Sequence, residues 1–365
     1  MSVLSFPSLS SVTLSGSRYV SPNGIIYIWD GYSWTGNGNA INPNPIYSNP
    51  FLYRTIYTRG YTHCGYQSGS PWRNTNRTLH STDTSTNLGD MMDYNASYID
   101  GGFSDYYTYV FNDSGGVNGT SNIVSTMNML TEAVRSLLTS RYLTTSRANC
   151  KALMNPGLTN IYITGGNSAT TDKFNTLTDT MLAANSVPNS PTAGGTAGGL
   201  SGFFGQYYGI VGANGTSGAL NWDSETWTSG TWSSSASYGG AGASDGQPKG
   251  LSSKWGYGYN STGSYAATST YYKFNDTTTS ITLISSFSRP EACGEENCQV
   301  GQDWGYTLGS YNGAQTNNST KTSYLTDTCI ALGSNGQPKG HGGMSSGCCG
   351  TGSVTLLNGI MGESI

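Results

Sequence analysis

The sequence predicts an all-β chain: a six-bladed β-propeller carrying an N-terminal β-hairpin on an extended arm. Two observations lead there. The stretch from Trp255, WGYGYNSTGSYAATSTYYKFNDTTT, is repeated from Trp304 as WGYTLGSYNGAQTNNSTKTSYLTDT. Both open Trp-Gly-Tyr, break at a Gly/Ser/Asn cluster, resume as an aromatic strand and end on an Asp/Thr turn. Looser copies lie upstream at Tyr61, Tyr107, Tyr162 and Tyr208, and their acidic turn marks fall at 83, 132, 179, 225, 276 and 327, spaced 46 to 51 residues apart. A period near 50, with room for four short strands, is the signature of propeller blades rather than of a helical solenoid.

Each element can be justified in order. Residues 1–57 precede the repeat and read as an anchor arm and linker. Gly24 to Thr35 places Asp30-Gly31 between two aromatic, β-rich runs, the strongest short hairpin signal. Ile25, Ile26, Tyr27, Ile28, Trp29 and Trp34 form its apolar content. A two-stranded hairpin is marginal alone, so these six residues are the candidate anchoring surface. The proline-rich tract Asn42 to Pro50 reads as an extended linker, because each proline disfavours helix in the residue before it.

Residues 58–354 carry the repeat. The first, aromatic strand of each copy is expected to line the central channel, with the later, more polar strands outside. One segment departs from the pattern: Asn128 to Arg147 has apolar residues at Met129, Leu130, Val134, Leu137, Leu138 and Tyr142, compatible with strands or with a short helix. Strands are the reading the period favours. Ser146-Arg147 before Cys150 recurs as Ser288-Arg289 before Cys293, and Asp245 to Gly250 recurs nearly unchanged as Asn335 to Gly340. Both read as duplicated loops. Residues 355–365 are a final strand and tail, and the strand Ser353 to Leu357, or one from residues 10–30, is a candidate to complete a blade.

Composition bounds the function. Charged residues make up 10% of the chain and glycine numbers 51, against about 25% charged in ordinary globular domains. The 12% aromatic content and regularly spaced apolar runs argue for a folded, loop-rich protein rather than disorder. A net charge of −4 without a basic run argues against a nucleic-acid partner. No apolar run is long enough for membrane insertion by a helix, and the first residues carry no secretory signal pattern.

Chemistry-bearing groups are sparse. The three histidines, His63, His80 and His341, make no ligand pattern. The seven cysteines are Cys64, Cys150, Cys293, Cys298, Cys329, Cys348 and Cys349. They form no paired framework, and the four-residue gap from Cys293 to Cys298 fits zinc poorly. Glu291, Glu295 and Glu296 read as a solvated loop without the spacing of a calcium site. No catalytic residue, cofactor or metal is expected. Trp222, Trp227, Trp232, Trp255 and Trp304 are either core residues or platforms that could stack on sugars.

The aromatic turns Tyr162-Ile163-Thr164-Gly165-Gly166-Asn167 and Tyr306 to Gly313 resemble the kelch-type blade, although most units lack its usual tryptophan. Behind a start such as Pro22 to Trp34, the Gly/Asn/Thr/Tyr-rich repeats are similar to virion structural and fibre-like proteins of tailed phages, cyanophages especially. That resemblance implies a non-enzymatic virion component, assembled in the host cytoplasm as a homo-oligomer. Other virion proteins and a host-surface glycan would be its partners. A secreted or surface carbohydrate-binding propeller is the alternative.

Overall fold

The structure is a computed structural model. It describes the strands given below and the connecting residues 80–83, 91–94, 104, 106, 121–123, 129–132, 135–147, 155, 159, 168–171, 176–179, 182–183, 186–189, 222–226, 326, 328 and 332. The described residues are all-β apart from one 3-10 turn, Thr139–Arg141. Two compact units are distinguished: residues 1–55 with 248–250 and 355–365, and residues 56–247 with 251–354.

The first unit holds β1 (Arg18–Val20), β2 (Ile26–Trp29) and β3 (Trp34–Gly36), an antiparallel meander in the order β1-β2-β3. Trp29 pairs with Trp34. The expected hairpin is therefore closed by residues 30–33 rather than by Asp30-Gly31 alone, and β1 adds a third strand through Tyr19 opposite Tyr27. A further strand, β4 (Tyr53–Ile56), pairs with the last one, Thr355–Asn358.

The second unit is built from four-stranded antiparallel meanders. Meander A contains β5 (Arg59–Gln67), β6 (Ser70–Leu79) and β7 (Thr84–Asp90). Meander B contains β8 (Asp100–Phe103), β9 (Tyr107–Phe111), β10 (Val124–Asn128) and β11 (Ala133–Val134). Meander C contains β12 (Cys150–Met154), β13 (Asn160–Gly165), β14 (Asp172–Asn175) and β15 (Thr180–Met181). Meander D contains β16 (Ser201–Phe204), β17 (Tyr208–Ala213), β18 (Thr216–Asn221) and β19 (Trp227–Thr231). Meander E contains β20 (Tyr238–Ser244), β21 (Trp255–Ser261), β22 (Thr268–Asn275) and β23 (Ser280–Cys293). Meander F contains β24 (Asn297–Val300), β25 (Trp304–Tyr311), β26 (Gln315–Ser323) and β27 (Cys329–Ala331). Meander A is completed by β28 (Ser346–Gly352), which pairs with β5, and the strand Thr355–Asn358 is β29. Meanders D and E form one eight-stranded sheet, because β16 and β20 meet in parallel at Gly202 and Ala241.

Two readings of the repeat are corrected by this topology. The aromatic strand that opens each copy is the second strand of its meander, not the first. The first strands are β28, β8, β12, β16, β20 and β24, and each touches the next: β28 with β8, β8 with β12, β12 with β16, β16 with β20, β20 with β24, and β24 with β28. The strand that completes a meander is Ser346–Gly352, not Ser353 to Leu357 or one from residues 10–30. Asn128 ends β10, and residues 129–147 hold a turn, the two-residue β11, an irregular segment and the 3-10 turn, so neither a full strand nor an α-helix occupies them.

The middle strands of meanders B and C are buried on both faces rather than alternating, as strands covered on both sides are, and only β14 alternates. In β10, Val124 to Met127 are buried, whereas both residues of β11 are exposed. A core spanning meanders B, C and D contains Phe103, Tyr109, Phe111, Leu153, Ile161, Tyr162, Phe174, Leu220 and Trp222. A second cluster joins A to B through Tyr61, Cys64, Val110, Met127 and Met129. Fully burying one such large apolar side chain contributes about 1.5–3 kcal/mol before ordering costs. Close approach needs glycine at one place above all: a Cβ on Gly209 would lie 2.3 Å from the Trp222 ring.

Candidate functional site

The most repeated chemistry in the described residues sits in the turns between the third and fourth strands. Asn128 Oδ1 accepts the amides of Leu130 and Thr131, Asn175 Oδ1 those of Leu177 and Thr178, and Asn221 Oδ1 those of Asp223 and Ser224. These are Asx turns, in which the side chain substitutes for a backbone acceptor. The acidic residue follows in the left-handed region: Asp83 at φ 56°, Glu132 at 52°, Asp179 at 58° and Glu225 at 53°. A non-glycine residue held there costs about 1 kcal/mol or more. Flanking hydroxyls bond across it, Thr82 with Thr84 at 2.7 Å, Thr178 with Thr180 at 2.8 Å and Ser224 with Thr226 at 2.7 Å. The sequence marks at 83, 132, 179 and 225 are therefore strained turn residues. The marks at 276 and 327 lie outside the described residues.

The strain is offset by what each carboxylate touches, since every one is gripped by the preceding meander. Glu225 accepts the Tyr162 hydroxyl at 2.7 Å and pairs with Lys173. Tyr162 lies opposite Lys173 in the β13–β14 ladder. Asp83 repeats this with Tyr306 at 3.0 Å and Lys321 at 2.5 Å, and those two also face each other in register. Glu132 accepts Tyr61 at 3.0 Å and Arg77 at 2.8 and 3.0 Å, with Arg59 at 3.5 Å, and Tyr61 again faces Arg77. From B to C the grip changes: Thr126 stands opposite Tyr109 where the others have a base. Asp179 is held instead by Arg135 at 2.9 Å and by Arg141 at 2.5 and 2.8 Å. The irregular segment after β11 supplies both arginines, and Arg135 also stacks on Tyr107 at 3.8 Å.

Electrostatics fit a clamp. Burial pushes the Tyr61 phenol well above its usual range despite the nearby arginines, so it stays a donor to Glu132. Burial does the same for Tyr109. The same segment carries a buried ion pair, Arg147 to Asp172 at 2.8 Å, with side-chain exposures of 0% and 1%. Arg147 also donates to Thr170 O and Oγ1, each at 2.9 Å, and Thr144 donates to Asp172. Arg289, its expected duplicate, lies inside β23, whereas Arg147 precedes β12, so the two occur at different places in their meanders.

The remaining expected residues are placed as follows. Ile26, Tyr27, Ile28 and Trp29 are the whole of β2, and Trp34 begins β3; Ile25 lies outside the described residues. Trp222 is 7% exposed and its ring lies tilted against Tyr162, 5.5 Å between centroids, so it is a core residue. Trp304 lies under Lys321 at 4.6 Å, and Trp232 is outside the described residues. His63 is buried and bonded to Thr75 at 2.8 Å, and His80 stacks on Tyr306 at 4.5 Å. Cys64 and Cys150 are buried thiols. Cys298 and the Cys348-Cys349 pair lie on the touching strands β24 and β28. Among the described residues no group of three or more metal-ligating side chains converges, and no helix is long and apolar enough to cross a membrane. His341, Glu295, Glu296 and the repeated loops 245–250 and 335–340 fall outside them.

No family model matches the chain, and no curated protein matches it.

Proposed function

We propose that the second unit is a six-bladed β-propeller and that the protein is a non-enzymatic structural component of a phage virion. The N-terminal arm attaches it, and the propeller is displayed outward, where it meets other virion proteins or a host-surface glycan. The observation that carries the propeller reading is the succession of first strands, each touching the next and β28 returning to β8. A meander cannot bury both faces alone, so such a succession stabilises only as a set. For the non-enzymatic part, the supporting observation is positive: Asp83, Glu132, Asp172, Asp179 and Glu225 are each committed to a cation on a neighbouring strand or segment. For the attachment role, residues 1–55 belong, with 248–250 and 355–365, to a unit separate from the meanders A to F and contain the aromatic meander β1-β2-β3. The edge of a small sheet can gain affinity by adding to a neighbouring one. The virion assignment itself rests on the resemblance of the sequence.

Mass spectrometry of particles purified from a culture that carries the gene tests the assignment. Peptides from residues 61–332 are expected at structural abundance, and their absence from the particle overturns it. Deleting residues 1–50 tests the arm. The shortened protein is expected to keep its thermal transition and to be missing from particles. Loss of folding would instead make the arm part of the propeller.

A further inference from the structure

Three buried polar atoms without a protein partner come together where meander B holds Asp179. Both arginines bond one oxygen only: Arg135 Nη2, Arg141 Nε and Arg141 Nη2 all donate to Asp179 Oδ2. Asp179 Oδ1 and Arg135 Nη1 are buried and make no hydrogen bond. They belong to the carboxylate and guanidinium that touch at 2.9 Å, so they flank one contact. The third atom is Thr126 Oγ1, also buried without a partner, on a residue 1% exposed.

Strand register brings Thr126 to the same contact. Its carbonyl accepts the Arg135 amide at 2.9 Å, and on its other side it lies opposite Tyr109. Directly opposed residues share a face of a sheet, so Tyr109, Thr126 and Arg135 stand abreast on one face of meander B. That face is turned to meander C: the Tyr109 ring packs on Phe174, and Asp179, Arg135 and Arg141 all act on the Tyr109 phenol. Lys173 and Lys321 hold the position of Thr126 in meanders C and F, opposite Tyr162 and Tyr306, and each places an ammonium on the next acidic turn. A threonine is too short to do that.

The donor set decides what fits between them. Oδ1 needs a donor, Nη1 needs an acceptor, and Oγ1 acts as either. A metal cation cannot accept from Nη1 and would face two guanidinium groups. A halide cannot donate to Oδ1. Water does both, and three polar partners are what a buried water commonly has. We infer that one buried water molecule bridges Asp179 Oδ1, Arg135 Nη1 and Thr126 Oγ1, standing at the B–C junction where a lysine ammonium stands between C and D and between F and A. It completes the bonding of the carboxylate, which the two arginines satisfy on one oxygen alone.

A crystal structure of the full chain, grown with bromide as the only halide, tests the site. One peak of electron density is expected about 2.7–3.2 Å from all three atoms, without anomalous signal at the bromine edge. An anomalous peak makes the ligand an anion and overturns the water, as does finding the three atoms bonded directly to protein groups. Thr126→Val tests it in solution, because valine keeps the shape and removes the hydroxyl. With the water in place the substitution takes away one of its partners, and Tm is expected to fall by about 2 °C. An unchanged or higher Tm means that the hydroxyl was bonded to nothing, and the site is overturned.

Discussion

Arg147 is the most buried cation among the described side chains, and its removal separates charge from packing. Arg147→Met leaves Asp172 enclosed without a counter-charge and is expected to cost about 3–5 kcal/mol in urea unfolding. Adding Asp172→Leu should recover most of that loss. A double variant as unstable as the single one would show that Arg147 acts through its carbonyl contacts to Ile163 and Thr170 instead. Tyr61 gives a pH prediction. Burial first, with Glu132 adding to it, raises its folded pKa above the unfolded value. Its contribution is thus full below about pH 10 and declines as pH rises beyond that value. Tyr61→Phe should lose about 1.5–3 kcal/mol at neutral pH, as a hydrogen bond to a carboxylate does. It should also flatten the alkaline fall in stability; an unchanged fall would assign that loss to other groups.

At the scale of the element, two glycines distinguish space from backbone. Gly209→Ala drives a methyl group into the rigid Trp222 ring and is expected to cost about 1–3 kcal/mol by overpacking. Gly89 has φ 86° with open space around it, so Gly89→Ala should cost only the backbone strain, about 1 kcal/mol. Thermal melts of the two would show whether that order holds. Strands and their turns were the legible part of the sequence, because the acidic residue and flanking hydroxyls that end a copy, as in Thr82-Asp83-Thr84 and Thr178-Asp179-Thr180, are residues that stabilise a turn locally. Which strand came first in a meander was not legible. The glycine-rich first strands, such as Asp100–Phe103 and Tyr238–Ser244, lack the alternation that marks a half-buried strand. The clamps were missed for another reason. Tyr162, Lys173 and Glu225 are distant in sequence, and only the register of β13 on β14 brings the first two onto one face. The signal that could have found them is the covariation of Tyr-x-x, base and acidic turn from one copy to the next. Residues 135–147 escaped because three arginines there answer to carboxylates in the next meander, a tertiary demand that overrides any local periodicity.

For the whole molecule, the consequential pairing is β28 on β5, which joins residues nearly 300 positions apart, Gly350 opposite Tyr61. Removing residues 346–365 should expose the β5 edge and produce an aggregating or partly unfolded chain, as open edges do. A synthetic peptide of residues 346–352 supplied in trans should restore the native circular dichroism spectrum and melting transition. No rescue at millimolar peptide would mean that the strand works only when tethered.

The stagger of the clamps has a bearing on how such a chain can be recombined. Asp83, Glu132, Asp179 and Glu225 each belong to one meander and the cations that hold them to the one before, joined by a phenol for all but Asp179, so a copy cut at its own boundaries carries two half-contacts, neither matched. The portable cassette instead runs from a tyrosine strand to the following acidic turn, as in residues 61–132 or 162–225. A graft with those endpoints brings one whole clamp with it, Tyr61 and Arg77 with Glu132 or Tyr162 and Lys173 with Glu225, and leaves the acid inside it, Asp83 or Asp179, to find a cation in its new neighbour.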